Sequence, residues 1–325
     1  MREIQFRDAI REAMIEEMRR DEKVYLMGEE VAEYNGAYKA SKGMLDEFGE
    51  KRVIDTPIAE LGFTGIAVGS AMNGLRPIVE FMTWNFAVLA SDQIINHAAK
   101  ILQMSGGQYS CPIVFRGPNA TAGQLAATHS QSFESMYAHI PGLKVVTPSN
   151  PADAKGLLKS AIRDNDPVLF MESEKMYGDK GMIPEGEYLI PIGKADVVKE
   201  GNDVTIISFG KVMKVANAAA EELTKEGINA EVIDLRTIRP LDVETIVNSI
   251  KKTNRCIIIE EAFPYASISS EIAYRIQKDA FDYLDAPVVR VTQSDTPFAF
   301  ATTLIDEAYP SVDTVVKRTK EICYK

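Results

Sequence analysis

Apolar positions recur at helical spacing from the start of the chain. Phe6, Ile10, Ala13, Met14 and Met18 share one face with Arg and Glu between them, which predicts an amphipathic helix. Val24–Gly28 then reads as a short buried strand, and Pro77–Phe81, Pro112–Phe115 and Leu143–Val146 as further ones. Asp153–Arg163 reads as a helix. After Val53-Ile54-Asp55, the pair Thr56-Pro57 predicts a helix entry, with Thr as cap and Pro in the first turn. That helix would carry Gly62, Gly65 and Gly69, which cost helix stability unless something must approach its backbone closely.

From Lys175 to Asn202 the pattern dissolves into Gly, Pro and charge, which marks a domain boundary. The expected division is a first domain over 1–180, a linker over 181–202 and a second domain over 203–325. Beyond the linker, strands at Val204–Phe209, Ala230–Leu235, Cys256–Glu260 and Val288–Val291 alternate with helices at Val212–Glu226, Asp242–Lys252 and Ile268–Phe281. Strands separated by helices of this length imply right-handed crossovers and a parallel sheet. The fold class expected is α/β, as two three-layer α/β/α domains.

The length of 325 residues suits two domains, and 46% hydrophobic with 26% charged residues is a globular composition rather than a disordered one. No apolar run approaches the ~20 residues that cross a bilayer. The start, Met1-Arg2-Glu3-Ile4, has neither a secretory core nor a transit-peptide composition, so a cytoplasmic location is expected. Cys111, Cys256 and Cys323 are too scattered for a disulfide framework or a zinc site. A net charge of −11 argues against nucleic-acid binding and is compatible with docking onto a basic partner surface.

In open α/β sheets ligands bind beyond the carboxyl ends of strands. Three such junctions stand out. Asp55–Glu60 ends in a carboxylate that either complements the positive end of its helix or faces a ligand. Glu80–Phe86 crowds aromatics that suit either a core or stacking on a flat ligand. The loop Arg116–Gly123 leads to Thr128-His129-Ser130-Gln131, and of His97, His129 and His139 it is His129 that has the most loop-like setting. No GxGxxG pattern and no P-loop is present.

Several strings then occur in a telling order: Asp55–Glu60, Glu80–Phe86, Ala98-Ala99-Lys100 with Met104–Gly107, Phe115–Asn119, His129–Gln131, Pro141–Val146 and Asp234–Thr237. Together they resemble the beta subunits of 2-oxoacid dehydrogenase decarboxylating components, within the transketolase-like thiamin-diphosphate enzymes. The resemblance covers almost the whole chain. It implies a pyrimidine-binding domain over 1–180 followed by a transketolase C-terminal-like domain. It implies further that Glu60, as a carboxylic acid, holds N1′ of the cofactor's aminopyrimidine, that Phe86 stacks on that ring, with Ile58 also lining the cofactor, and that His129 faces substrate and aids acyl transfer to lipoamide. Ser160–Pro167 resembles the family's potassium loop, so carbonyls of Ile113, Ala161, Ile162, Asp164 and Asp166 would surround the ion.

The chain lacks the Gly-Asp-Gly string with which related single-chain enzymes hold magnesium and diphosphate. The resemblance therefore implies a separate alpha subunit that supplies Mg2+ and the diphosphate grip, in an α2β2 heterotetramer, with Gly62, Gly65 and Gly69 as a close-packing surface. It implies also a lipoyl-bearing acyltransferase core docked on the C-terminal domain. There the chain departs from the family pattern at Pro264–Ser270 and Asp295–Ala301. Met171-Glu172 through Met176-Tyr177-Gly178 resembles the members acting on pyruvate more than the branched-chain ones. Branched-chain 2-oxoacid or acetoin chemistry, and a non-catalytic assembly subunit, are the alternatives.

Overall fold

The computed structural model describes residues 1–325. A seven-stranded sheet forms the first half, in the order Thr237–Arg239, Lys144–Val146, Val168–Glu172, Val114–Pro118, Arg76–Glu80, Val24–Gly28 and Val53–Asp55. Its strands are parallel except Thr237–Arg239, which runs antiparallel to Lys144–Val146. That strand comes from the C-terminal half, so the second half of the chain lends an edge to the first sheet. A five-stranded sheet forms the second half, in the order Val289–Thr292, Cys256–Glu260, Val204–Ser208, Ala230–Asp234 and Asp196–Lys199, the last antiparallel.

Every position of Val24–Gly28, Val168–Glu172, Val204–Ser208 and Cys256–Glu260 is buried. Such strands read as continuous apolar runs because helices cover both faces of the sheet. The first helix, Phe6–Arg20, packs against Pro151–Arg163, and Lys155, Lys159 and Arg163 pair there with Glu16 and Glu17. One apolar cluster runs from Phe63 and Phe81 through Tyr137 and Leu143 to Ile207 and Ile258, joining the two sheets across their boundary. No helix is long and apolar enough to cross a membrane.

The structure departs from the sequence reading in several places. The helix after Asp55 begins at Glu60, not at Thr56-Pro57, because the Thr56 N–H continues the strand by donating to the Gly28 carbonyl at 2.9 Å. The stretch expected to be a linker holds two strands. Lys180–Ile183 pairs with Arg2–Gln5, and Asp196–Lys199 edges the second sheet. Two further helices, Thr302–Ala308 and Val312–Ile322, close the chain, and the latter buries Val315, Thr319 and Ile322.

Candidate active site

Two strand ends place a pair of carboxyl groups together. Val24–Gly28 leads into Glu29, and Val53–Asp55 leads through an extended turn to Glu60 at the first position of the helix Glu60–Met72. Asp55 fastens this arrangement: its carboxylate accepts from the Ala32 N–H at 2.7 Å and the Glu33 N–H at 3.1 Å. Gly28 is required here, since a Cβ would collide with the Glu80 carbonyl of the adjacent strand. Glu29 and Glu60 are both buried, 5% and 4% exposed. Burial first, then the neighbouring charge of Glu60, pushes the Glu29 carboxyl up to about 7, against a hydrogen bond from the Met82 backbone that stabilises its ionised form. Glu29 Oε1 is buried with no hydrogen-bond partner. A buried, unpartnered carboxyl oxygen is costly unless a ligand or partner completes it.

The sequence does not single out Glu29. Its only local signal is a carboxylate directly at the end of an apolar strand, and its partner lies a whole strand–helix unit away.

The second pair is aromatic. Phe86 lies in the short helix Trp84–Ala87, capped by Thr83 Oγ1 accepting from the Asn85 N–H at 3.3 Å. Asn85 Oδ1 in turn accepts from Gln131 N and Nε2, both at 3.2 Å, and so ties the His129 segment to this helix. As a result Phe86 and His129 meet edge to face, with ring centroids 5.0 Å apart and planes at 85°. The Thr128 hydroxyl lies 3.2 Å from His129 Nδ1. Met82, whose backbone faces Glu29, stands on the same strand end that leads to Phe86, so the two pairs share one end of the sheet. No hydrogen bond or ring contact joins Glu60 to Phe86 or His129.

Arg116, read from the sequence as part of a loop, lies in the strand Val114–Pro118 and is wholly buried. Its guanidinium forks onto Glu172 at 2.6 and 2.7 Å and also pairs with Glu80, while Tyr177 donates to Glu172 at 2.7 Å. These are structural charges under the strand ends rather than ligand-facing ones.

The loop after Pro151–Arg163 carries its own cations. Arg76 donates to the carbonyls of Ile162 at 3.0 Å and Asp164 at 2.6 Å, and Lys144 holds the carboxylates of Asp164 and Asp166. The Ile113 carbonyl accepts from Val168 N and the Ala161 carbonyl from Asp164 N. The carbonyls of Ile162 and Asp164 thus already face the Arg76 guanidinium, and a carbonyl oxygen with two lone pairs can still accept a second partner.

Beside the carboxyl pair the helix Glu60–Met72 and the turn before it present an apolar edge outward. Ile58 is 82% exposed and Ile66 67%, with Leu61 between them also exposed. A Cβ at Gly69 would meet nothing within 4 Å, and one at Gly62 only the Ala59 side chain at 3.8 Å. Packing within the chain therefore does not explain these glycines.

Residues 2–180 match the family described as "Transketolase, pyrimidine binding domain", and residues 193–315 match "Transketolase, C-terminal domain". The chain is 55% identical over 320 residues to the "Pyruvate dehydrogenase E1 component subunit beta" of Rhizobium meliloti, covering 98% of this chain and 70% of that one. It is 54% identical to the protein of the same description from Rickettsia felis, with 99% of both chains covered. The chain belongs to the pyruvate dehydrogenase E1 beta family. The family extends to organelle forms: a mitochondrial E1 beta-2 subunit of Oryza sativa is 53% identical, with 87% of its length covered. The fold of the chain is also that of a solved structure described as "Split gene transketolase, inactive beta4 tetramer", with a TM-score of 0.79 at 22% identity over 99% of this chain and 98% of that one.

Proposed function

We propose that this chain is the beta half of a thiamin-diphosphate-dependent decarboxylating component that acts on pyruvate and passes the acetyl group to lipoyl groups of an acyltransferase core. The observation that carries this reading is the buried Glu29–Glu60 carboxyl pair, which opens beside an exposed apolar helix edge. Two carboxyls in one dry site do not both ionise readily, so a proton is retained there. Glu29, the carboxyl that burial and Glu60 push up to about 7, keeps that proton near neutral pH, and Glu60 presents its carboxyl to the aminopyrimidine ring nitrogen of thiamin diphosphate. Phe86 and Ile58 supply apolar surface for the same ring. The cofactor, when bound, contributes a carbon nucleophile and an electron sink, chemistry that no side chain here offers. His129, braced edge to face by Phe86, presents an imidazole to the acyl group and its lipoyl acceptor.

Mg2+ and the diphosphate belong to an alpha chain, because this sequence has no Gly-Asp-Gly string. The alpha chain covers Ile58, Leu61, Ile66 and the open glycines Gly62 and Gly69, in an α2β2 assembly, whereas Gly65 packs on Gln93 of this chain. The pyrimidine-binding domain takes 1–180 and the C-terminal domain 203–325, and the linker 181–202 between them is held to the two through the strands Lys180–Ile183 and Asp196–Lys199. A potassium ion is held by carbonyls of Ile113, Ala161, Ile162, Asp164 and Asp166. Exposed Tyr265 and Phe300, 87% and 65% accessible, lie in the two stretches that would meet the acyltransferase core.

Calorimetric titration of thiamin diphosphate and magnesium tests the reading, with this chain alone and with its alpha partner. Tight binding is expected only in the mixture; tight binding to the isolated chain would end the split-site interpretation. Acyl-lipoamide formation from pyruvate, 3-methyl-2-oxobutanoate and acetoin then identifies the substrate, and pyruvate is expected to be the fastest.

A further inference from the structure

One residue of the C-terminal half holds both ends of the segment that carries His129. Glu261 follows the strand Cys256–Glu260 and is 5% exposed. Its Oε1 accepts from the Thr121 N–H at 2.8 Å and from the Thr121 hydroxyl. Its backbone carbonyl accepts from the Ser132 hydroxyl. Thr121 and Ser132 bracket His129, so the segment is pinned before and after the imidazole by a single residue of the other half.

The pin is itself supported. Lys211 Nζ lies 3.0 Å from Glu261 Oε1 and 2.9 Å from Oε2, and it also donates to the Thr121 carbonyl at 3.1 Å and the Thr121 hydroxyl at 2.6 Å. Tyr309 donates to Oε2 at 3.2 Å. A buried carboxylate needs such partners, and hydrogen bonds to a charged acceptor are stronger than neutral ones. Two backbone bonds also hold the segment, Ala120 N–H to the Gln131 carbonyl at 3.0 Å and His129 N–H to the Ala126 carbonyl at 3.2 Å. Gln124 and Leu125 are exposed, and Gly123 and Ala126 turn through φ of +108° and +62°. Gln131, bound to Asn85, is the segment's side-chain tie to the Phe86 helix.

The geometry points to Glu261 as a positioning residue for His129, with Lys211 as its counter-ion. The C-terminal half thereby sets the place of an imidazole that the first half carries. Glu261 touches no reacting atom in this scheme; it acts through the segment it pins. The consequence for turnover rests on the reading of His129 given above, whereas the pinning itself does not.

The test combines two measurements on the full chain. Amide hydrogen exchange in Glu261→Ala, which releases the Thr121 end while the backbone carbonyl still holds Ser132, is expected to rise about tenfold or more across residues 122–131 while the strand Val168–Glu172 stays protected. In the alpha/beta assembly, kcat for lipoyl acetylation should fall about tenfold or more, with KM for pyruvate nearly unchanged. Glu261→Gln keeps the acceptor oxygen and should recover part of both effects. Unchanged exchange at 122–131 overturns the proposal whatever the turnover. Raised exchange with unaltered lipoyl acetylation overturns it too, provided that His129→Ala is impaired. If His129→Ala is itself fully active, the reading of His129 fails on its own, and exchange alone decides the pin. Thr121→Val and Ser132→Ala, each removing one hydroxyl, serve in place of Glu261→Ala should that variant not fold, with the same outcomes deciding.

Discussion

Glu29 and Glu60 come from two different strand ends and share one buried site, so that each carboxyl is part of the other's environment. Removing the acid function at Glu60 without changing its shape is the most direct probe of what the pair does. Glu60→Gln is expected to assemble with the alpha chain and to lose decarboxylation by about 100-fold or more, the scale of a lost proton-transfer group. Carbon dioxide release from pyruvate measures it. Turnover equal to the parent would leave the chain as an assembly subunit only.

Gly69 separates the needs of the chain from those of a partner. A Cβ there meets nothing within 4 Å, and glycine inside a helix is less stable than alanine by about 0.5–1 kcal/mol. Gly69→Ala should therefore raise the denaturation midpoint of the isolated chain and weaken its co-elution with the alpha chain. A variant that is stabilised and still assembles with full affinity would mean that no helix approaches closely at this point.

How much of this is legible in the sequence depends on the range of the interaction. Strands buried on both faces announce themselves locally, and Cys256–Glu260 falls where the apolar run Cys-Ile-Ile-Ile-Glu places it. The helix entry at Thr56-Pro57 is misread because the sequence cannot show that Thr56 N–H reaches across to Gly28. Arg116 reads as a loop residue because Gly117-Pro118-Asn119 follows it; its partners Glu80 and Glu172 stand on the two neighbouring strands. Glu29 escapes notice for the same reason, since only the sheet order brings it to Glu60. The edge strand Thr237–Arg239 is too short to carry a pattern, and its pairing is with the other sheet. Glu60, Phe86 and His129 stand out through resemblance rather than through local physics.

The triad of Glu80, Arg116 and Glu172 invites a stability measurement. Arg116 is 1% exposed, and its removal leaves two carboxylates facing each other without a cation. Breaking a buried pair by deleting one partner costs about 3–5 kcal/mol. Arg116→Met should lower the unfolding free energy of the isolated chain by that order in urea titration. A loss below about 1 kcal/mol would show that water or a proton neutralises the carboxylates.

Potassium adds a test of the loop between Ala161 and Asp166. An ion that binds only the folded chain raises its stability with concentration. The melting midpoint should be higher in potassium chloride than in tetramethylammonium chloride of equal strength. Equal midpoints would mean that Arg76 and Lys144 already supply all the positive charge this loop takes.

Glu134 gives the pH dependence its clearest signature. It is buried beside Asn119, and burial, reinforced by the charges of Glu260 and Glu261, pushes its carboxyl up to about 8 despite hydrogen bonds from its own backbone and Asn119. The ordinary value is 4.5. Between those two values the unfolded chain has released the proton while the folded chain keeps it, so stability falls as pH rises. The contribution is complete below about pH 4.5 and gone above about pH 8. Glu29 and Asp234, both raised to about 7, act in the same direction over a narrower range. Glu134→Gln retains those two contributions and drops only its own. Urea midpoints measured from about pH 5 to about pH 9 should therefore fall less steeply in Glu134→Gln than in the parent. Parallel curves would mean that Glu134 reaches solvent or a cation on ionising, and that the two halves of the chain part there more easily than their shared apolar cluster suggests.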